Sequence, residues 1–265
     1  MPKGIKFKNN YLTGVIFRID FSTILNLSGN NKEAAAEFRK AIFNKFPNVQ
    51  FRANNNINIQ IDVKTSTSES LMEEGELTWI FSDKDNKKSI ELTSENLILH
   101  YNKNSYVNFE EFLEDVILIL NALEYYNPYT FKFLGLRYIN QINEDSINEK
   151  NICEYINKSL INNILFELEE DEEHCQTLSK IDLIKNGYDL TIQYGFFNPM
   201  FPNPKFKKDF ILDYDCRLRN LDLIQSKEDI IKELKKMNQL IYKKFKYSVT
   251  EKLFKIMEKN DEYNI

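Results

Sequence analysis

Arg137 places the strongest chemical demand on its surroundings. It lies inside residues 131–143, FKFLGLRYINQIN. The run follows Pro128-Tyr129, is rich in aromatic and branched residues and is largely apolar on both faces, the pattern of a buried strand. Alternation sets Phe133, Gly135, Arg137 and Ile139 on one face and Leu134, Leu136, Tyr138 and Asn140 on the other. A guanidinium keeps its charge, so inside a sheet it needs a carboxylate or several carbonyls. Asp213 or Asp215 in FILDYDCRL is the expected carboxylate. Two roles fit: a buried pair that fixes strand order, or an arginine that binds an anion. The buried pair is the expectation that needs fewer assumptions.

A second chemical candidate is residues 198–208, NPMFPNPKFKK. Met200, Phe201 and Phe206 stand among prolines beside Lys205, Lys207 and Lys208. Prolines stiffen an exposed loop, and aromatics next to lysines stack a base or anchor a partner protein. The plainer alternative folds these aromatics back over the sheet. Lys235, Lys236, Lys243, Lys244 and Lys246 form a basic stripe around Phe245, which is read first as a solvated helix face.

Catalytic constellations are scarce. There is no GxxxxGK[ST] or GxGxxG loop and no GxSxG elbow. His100 in LILHY has no partner constellation around it in sequence and is read as structural. His174-Cys175 follows the acidic run ELEEDEE (167–173). Adjacent ligands chelate zinc poorly, so this reads as a solvated acidic loop. No cofactor or metal site is expected. A divalent-ion nuclease stays open as an alternative, because carboxylates and lysines are present without a recognisable spacing.

The elements that must position these residues follow from hydrophobic periodicity. Residues 11–21 read as strand, and 31–46 as a helix striped by Ala34, Phe38, Ala41 and Phe46 and stopped by Pro47. Residues 57–63 alternate as a strand, and 64–75 read as a polar loop. Residues 77–81, 89–93 and 96–101 read as an antiparallel meander. A helix starts at Asn108 with Glu111 in capping-box position and carries Phe109, Leu113, Val116, Leu120 and Leu123. The second half reads as strand 131–142, a helix near 149–166, and a hairpin 178–185/188–196 turning at Asn186-Gly187. Strand 209–218 and a helix capped by Ser226 follow.

GVIFRID near the start matches FLGLRYIN, which puts Arg18 and Arg137 in similar places, and NLILHY matches FILDYD. The expected fold is therefore α+β, with two similar ferredoxin-like modules of antiparallel sheet, helices on one face of each. The modules are placed at 1–128 and 129–265, sharing a continuous core.

Composition is that of a globular chain, with 42% hydrophobic and 28% charged residues. A net charge of −5 gives no bulk pull toward nucleic acid. MPKGIKFKNN has basic residues with no apolar segment after them, unlike a signal peptide, and no run reaches a membrane-spanning length. Cys153, Cys175 and Cys216 are dispersed, which reads as reduced thiols in a cytoplasmic protein.

GELTWIFSDKDNKKSIELTSENLILHY, the NFEEF helix, LGLRYINQIN, FILDYD and the closing KKFKYSVTE occur in an order that resembles a sporadically distributed, uncharacterised family of prokaryotic proteins of about this length. The resemblance runs from roughly residue 75 to 250 and rests most on LGLRYIN and WIFSDKD. It carries over no catalytic residue. The family's patchy occurrence implies horizontally transferred genes, of the kind that serve phage defence or mobile elements. The expected function is a non-enzymatic macromolecule-binding component whose partner is another protein. RNA or single-stranded nucleic acid binding is the alternative. Candidate binding residues are Arg137, Arg18, Phe201, Lys205, Phe206, Lys207 and Lys208.

Overall fold

The computed structural model describes residues 10–53, 56–62, 67–73, 76–128, 130–143, 147, 150–162, 169–170, 172, 174–203 and 207–258. Its strands are β1 (Leu12–Phe21), β2 (Asn48–Ala53), β3 (Asn56–Asp62), β4 (Thr67–Glu73), β5 (Leu77–Ser82), β6 (Lys88–Leu92), β7 (Asn96–Asn102), β8 (Phe131–Ile142), β9 (Thr177–Lys185), β10 (Tyr188–Phe197) and β11 (Asp209–Leu218). The helices are α1 (Ala36–Ile42), α2 (Phe109–Glu124), α3 (Lys158–Ile161), α4 (Lys227–Ser248) and α5 (Glu251–Glu258).

Nine strands form one antiparallel sheet in the order β2-β5-β6-β7-β1-β8-β11-β10-β9, and β3 pairs with β4 in a separate ribbon. This overturns the expectation of two ferredoxin-like modules. The reason lies in the middle of the sheet, where β1 and β8 are neighbours. Thr13 Oγ1 donates to the Ile139 carbonyl and Gln141 N–H to the Tyr11 carbonyl. Strands from both halves of the chain thus extend one sheet instead of closing two. Outward from β1 the order is β7, β6, β5, and outward from β8 it is β11, β10, β9. The likeness of GVIFRID to FLGLRYIN, and of NLILHY to FILDYD, is kept in that order.

The chain divides into two compact units. One comprises residues 1–16, 101–113 and 135–265, the other 17–100 and 114–134. In the first, alternation along β11 buries Phe210, Leu212, Tyr214, Cys216 and Leu218. α4 packs on that face, with Phe245 edge-on to Tyr214 at 6.4 Å and Phe254 of α5 at 6.0 Å beyond. A chain of hydroxyls joins helix to sheet: Tyr138 donates to Asn238 Oδ1 at 3.0 Å, so the 3.3 Å contact with Tyr106 has Tyr106 as donor. In the second unit, Phe38 of α1 packs on Phe81 at 5.5 Å. The buried Asp115 of α2 is held by Lys45 at 2.5 Å and Lys88 at 3.3 Å.

Several local expectations hold and several shift. The β9–β10 hairpin turns at Asn186 (φ 52°) and Gly187 (φ 86°), both left-handed as a type I′ turn requires. Gly195 (φ 141°) sits where a Cβ would lie 2.0 Å from the Thr177 carbonyl oxygen, so no other residue fits. The expected loop 64–75 contains β4. The expected helix 31–46 is a 3₁₀ turn at Lys32–Ala35 followed by α1, and its buried stripe is Ala35, Phe38 and Ile42, with Ala41 exposed. Of the expected helix near 149–166, residues 149 and 163–166 lie outside the described set; residues 150–162 hold a 3₁₀ turn at Ile152–Glu154 and α3. None of the three cysteines is in a disulfide. No helix is long and apolar enough to cross a membrane among the described residues.

Candidate functional site

Arg137 lies on the sheet face away from α4 and is bound in two-pronged fashion by Asp213, with Nε to Oδ1 at 2.9 Å and Nη2 to Oδ2 at 2.6 Å. Its side chain is 41% exposed against 8% for the carboxylate. The guanidinium is therefore half-open to solvent, and the buried partner is Asp213. The hydrogen bond it donates to Asp213 holds the arginine's pKa above its ordinary value. Asp215, directly opposite Arg137 in register, is left without that bond, and burial raises its pKa. Around this pair, Gln141 donates to Asp209 at 2.6 Å and Thr191 to Asp182 at 2.6 Å. Among the described residues, this face thus carries three such polar pairs beside Asp215. No group of three or more His, Cys, Asp or Glu among the described residues is placed to hold a metal ion.

Arg18, in the other unit, binds Asp20 on its own strand at 2.7 and 2.8 Å and lies 5.3 Å over the Phe133 ring. Arg18 and Arg137 are thus each locked to a carboxylate, one within a strand and one across strands. In the 198–208 loop, Asn198 does the bracing. Its amide donates to the carbonyls of Cys175 (3.2 Å) and Asn203 (2.7 Å), and its oxygen accepts from Met200 N–H (2.9 Å). Met200 and Phe201 point outward, exposed, rather than back over the sheet. Lys207 is exposed and donates to the Asn143 carbonyl, and Lys208 is half-buried. Lys205 and Phe206 lie outside the described residues. Phe245, at the centre of the lysine stripe, is buried under α4, while Lys235, Lys236, Lys243 and Lys246 are exposed.

The site that sequence reasoning missed lies in the second unit. Asn31 caps the 3₁₀ turn by accepting from Glu33 N–H at 3.0 Å. From that start, Lys32, Ala36, Arg39, Lys40 and Phe43 recur at helical spacing on the side turned from the Phe38 stripe. β2 pairs with β5 so that Val49 opposes Phe81 and Phe51 opposes Trp79. These two surfaces enclose a cleft of ≈390 Å³. Trp79, the chain's single tryptophan, closes its floor and donates its indole N–H to the Lys32 carbonyl at 3.2 Å. Phe43 (51% exposed) and Phe51 (42% exposed) stand at the mouth, with the Lys32 ammonium 5.7 Å from the Phe51 ring. Of the charged residues lining the cleft, Lys32, Arg39 and Lys40 are cationic and Glu33 alone is anionic. β2 is also the terminal strand of its sheet, so one side of its backbone faces no strand of that sheet.

The available signal was Phe43, an aromatic off the buried stripe and flanked by cations, together with Phe51 in a strand whose other residues are mostly polar. A smaller cavity of ≈40 Å³ in the first unit is lined by Tyr106, Tyr138, Tyr214 and Asn238 among others, room for a few waters only. Set beside known proteins, the chain matches no family model and no curated protein.

Proposed function

We propose that this chain is a non-enzymatic protein-binding component, and that its docking site is the cleft between α1 and β2. The occupant is an extended segment of another protein that alternates acidic and apolar residues. The observation that carries the reading is the pairing of exposed Phe43 and Phe51 with Lys32, Arg39 and Lys40 around one concave surface. Aromatic anchors in a pocket supply most of the energy of such contacts, and charge complementarity supplies orientation and on-rate. The terminal position of β2 favours a polypeptide over other acidic partners, because an added strand uses its backbone N–H and C=O groups.

Aromatics beside cations also suit single-stranded nucleic acid, the second reading of the same cleft. Selection of a randomised-peptide display library on the intact chain, with counter-selection on Arg39→Glu, separates the two. Enrichment of peptides alternating acidic and apolar residues is the expected result. Enrichment of no such pattern, together with salt-dependent binding of oligothymidylate that Arg39→Glu removes, would replace the protein reading with the nucleic-acid one.

A further inference from the structure

Among the described residues, the opposite end of the sheet ends in β9, whose outer edge pairs with no strand, and its sequence, Thr-Leu-Ser-Lys-Ile-Asp-Leu-Ile-Lys over Thr177–Lys185, complements itself. We propose that β9 docks antiparallel on β9 of a second copy of this chain, with the two-fold axis at Ile181.

The backbone direction of β9 comes first. Arg219 N–H donates to the Gly187 carbonyl, so the odd-numbered residues of β10 exchange bonds with β11 and the even-numbered ones with β9. Tyr188 is paired with Lys185 and Ile192 with Ile181. The odd-numbered residues of β9 therefore bond inward to β10, and the N–H and C=O groups of Leu178, Lys180, Asp182 and Ile184 point to the free edge.

A symmetric antiparallel partner must oppose outward groups to outward groups, which restricts the axis to whole-residue positions. With the axis at Ile181, Lys180 opposes Asp182 of the second copy and Leu178 opposes Ile184, each pair appearing twice. With the axis at Lys180 the lysines oppose one another, and with it at Asp182 the aspartates do; like charges in that position repel. Only the Ile181 register sets opposite charges and apolar residues against their complements over the length of the strand. The side chains involved are free to meet. Leu178 is 51% and Ile184 68% exposed, both large apolar residues on a strand edge. Lys180 and Asp182 already form an exposed pair at 3.0 Å within the strand, so dimerisation joins two pairs into a four-charge cluster. A lysine on an edge strand ordinarily deters pairing; here the aspartate two residues on converts that guard into a recognition element for the same edge.

Sedimentation velocity of the full chain over a concentration series tests this. The wild-type mass rises toward twice the chain mass with concentration, Lys180→Glu stays monomeric, and Lys180→Asp combined with Asp182→Lys restores the dimer. Ile181→Cys forms an intermolecular disulfide on mild oxidation that the wild type, with its three native cysteines, does not, because residues at a non-hydrogen-bonded antiparallel pair lie about 4.5 Å apart at Cα. A wild type that stays monomeric throughout, a dimer untouched by Lys180→Glu, or a failure of Ile181→Cys to cross-link overturns the proposal.

Discussion

Arg137 shows how far a single residue can be read. Its need for a carboxylate was legible in the sequence, and so was the short list of acceptors, Asp213 and Asp215. The choice between them was not, because it depends on register. Asp215 is the direct cross-strand neighbour, yet the long arginine reaches diagonally to Asp213. Exposure of the guanidinium was also hidden, since the apolar character of FKFLGLRYINQIN belongs to both faces while helices cover one. Arg137→Ala strands a buried carboxylate and is expected to cost about 1–3 kcal/mol in denaturant unfolding. Arg18→Ala, whose pair is more exposed, is expected to cost about 1 kcal/mol or less. The pH dependence at Asp215 follows from its raised folded pKa. The folded state holds that proton more tightly, so its contribution to stability declines as pH rises through the ordinary value of 3.8 toward the folded value. Asp215→Asn is therefore expected to gain stability relative to wild type across that window and to keep the gain above it, in unfolding midpoints taken at a series of pH values. Burial pushes the Cys216 thiol up to about 12; alkylation of the native protein near neutral pH is expected to spare Cys216 until denaturant is added.

Among the elements, periodicity located the two long helices and most strands, because burial along them repeats every two or four residues, while β2 and β4 lie where no strand was expected. It failed where burial depends on what crosses above. The stripe expected over 31–46, Ala34, Phe38, Ala41 and Phe46, took no account of Lys32, Arg39, Lys40 and Phe43, whose cleft exists only because β2 lies beside them. Phe51→Ala is expected to weaken a selected peptide by about tenfold or more, as loss of an aromatic anchor does, with little change in melting temperature. Gly195→Ala tests the hairpin: with φ at 141° and the Thr177 carbonyl in the way, thermal unfolding is expected to show a loss of about 3 kcal/mol or more. Tyr138→Phe breaks the hydroxyl chain between Tyr106 and Asn238 and is expected to cost about 1–2 kcal/mol.

For the whole molecule, the two matched sequence halves suggested two sheets, and the chain builds one. Nothing local in GVIFRID or FLGLRYIN states that these strands pair with each other rather than within separate modules, since strand order is fixed by contacts more than a hundred residues apart. The nine-stranded sheet leaves two terminal strands, β2 and β9, and each carries a pattern suited to a different partner. At β2 the cations and phenylalanines face an acidic, apolar segment; at β9 the charges face their own copy. A net charge of −5 is compatible with both, because the cationic residues that matter are gathered locally. Whether the α1–β2 cleft takes a polypeptide can be read from Trp79. As the chain's single tryptophan and the floor of the cleft, it reports on that site alone. Titration with a peptide alternating acidic and apolar residues is predicted to shift its emission saturably in the wild type and not in Arg39→Glu. No shift with the peptide, or a saturable shift with oligothymidylate in its place, would exclude a polypeptide as the occupant of the cleft.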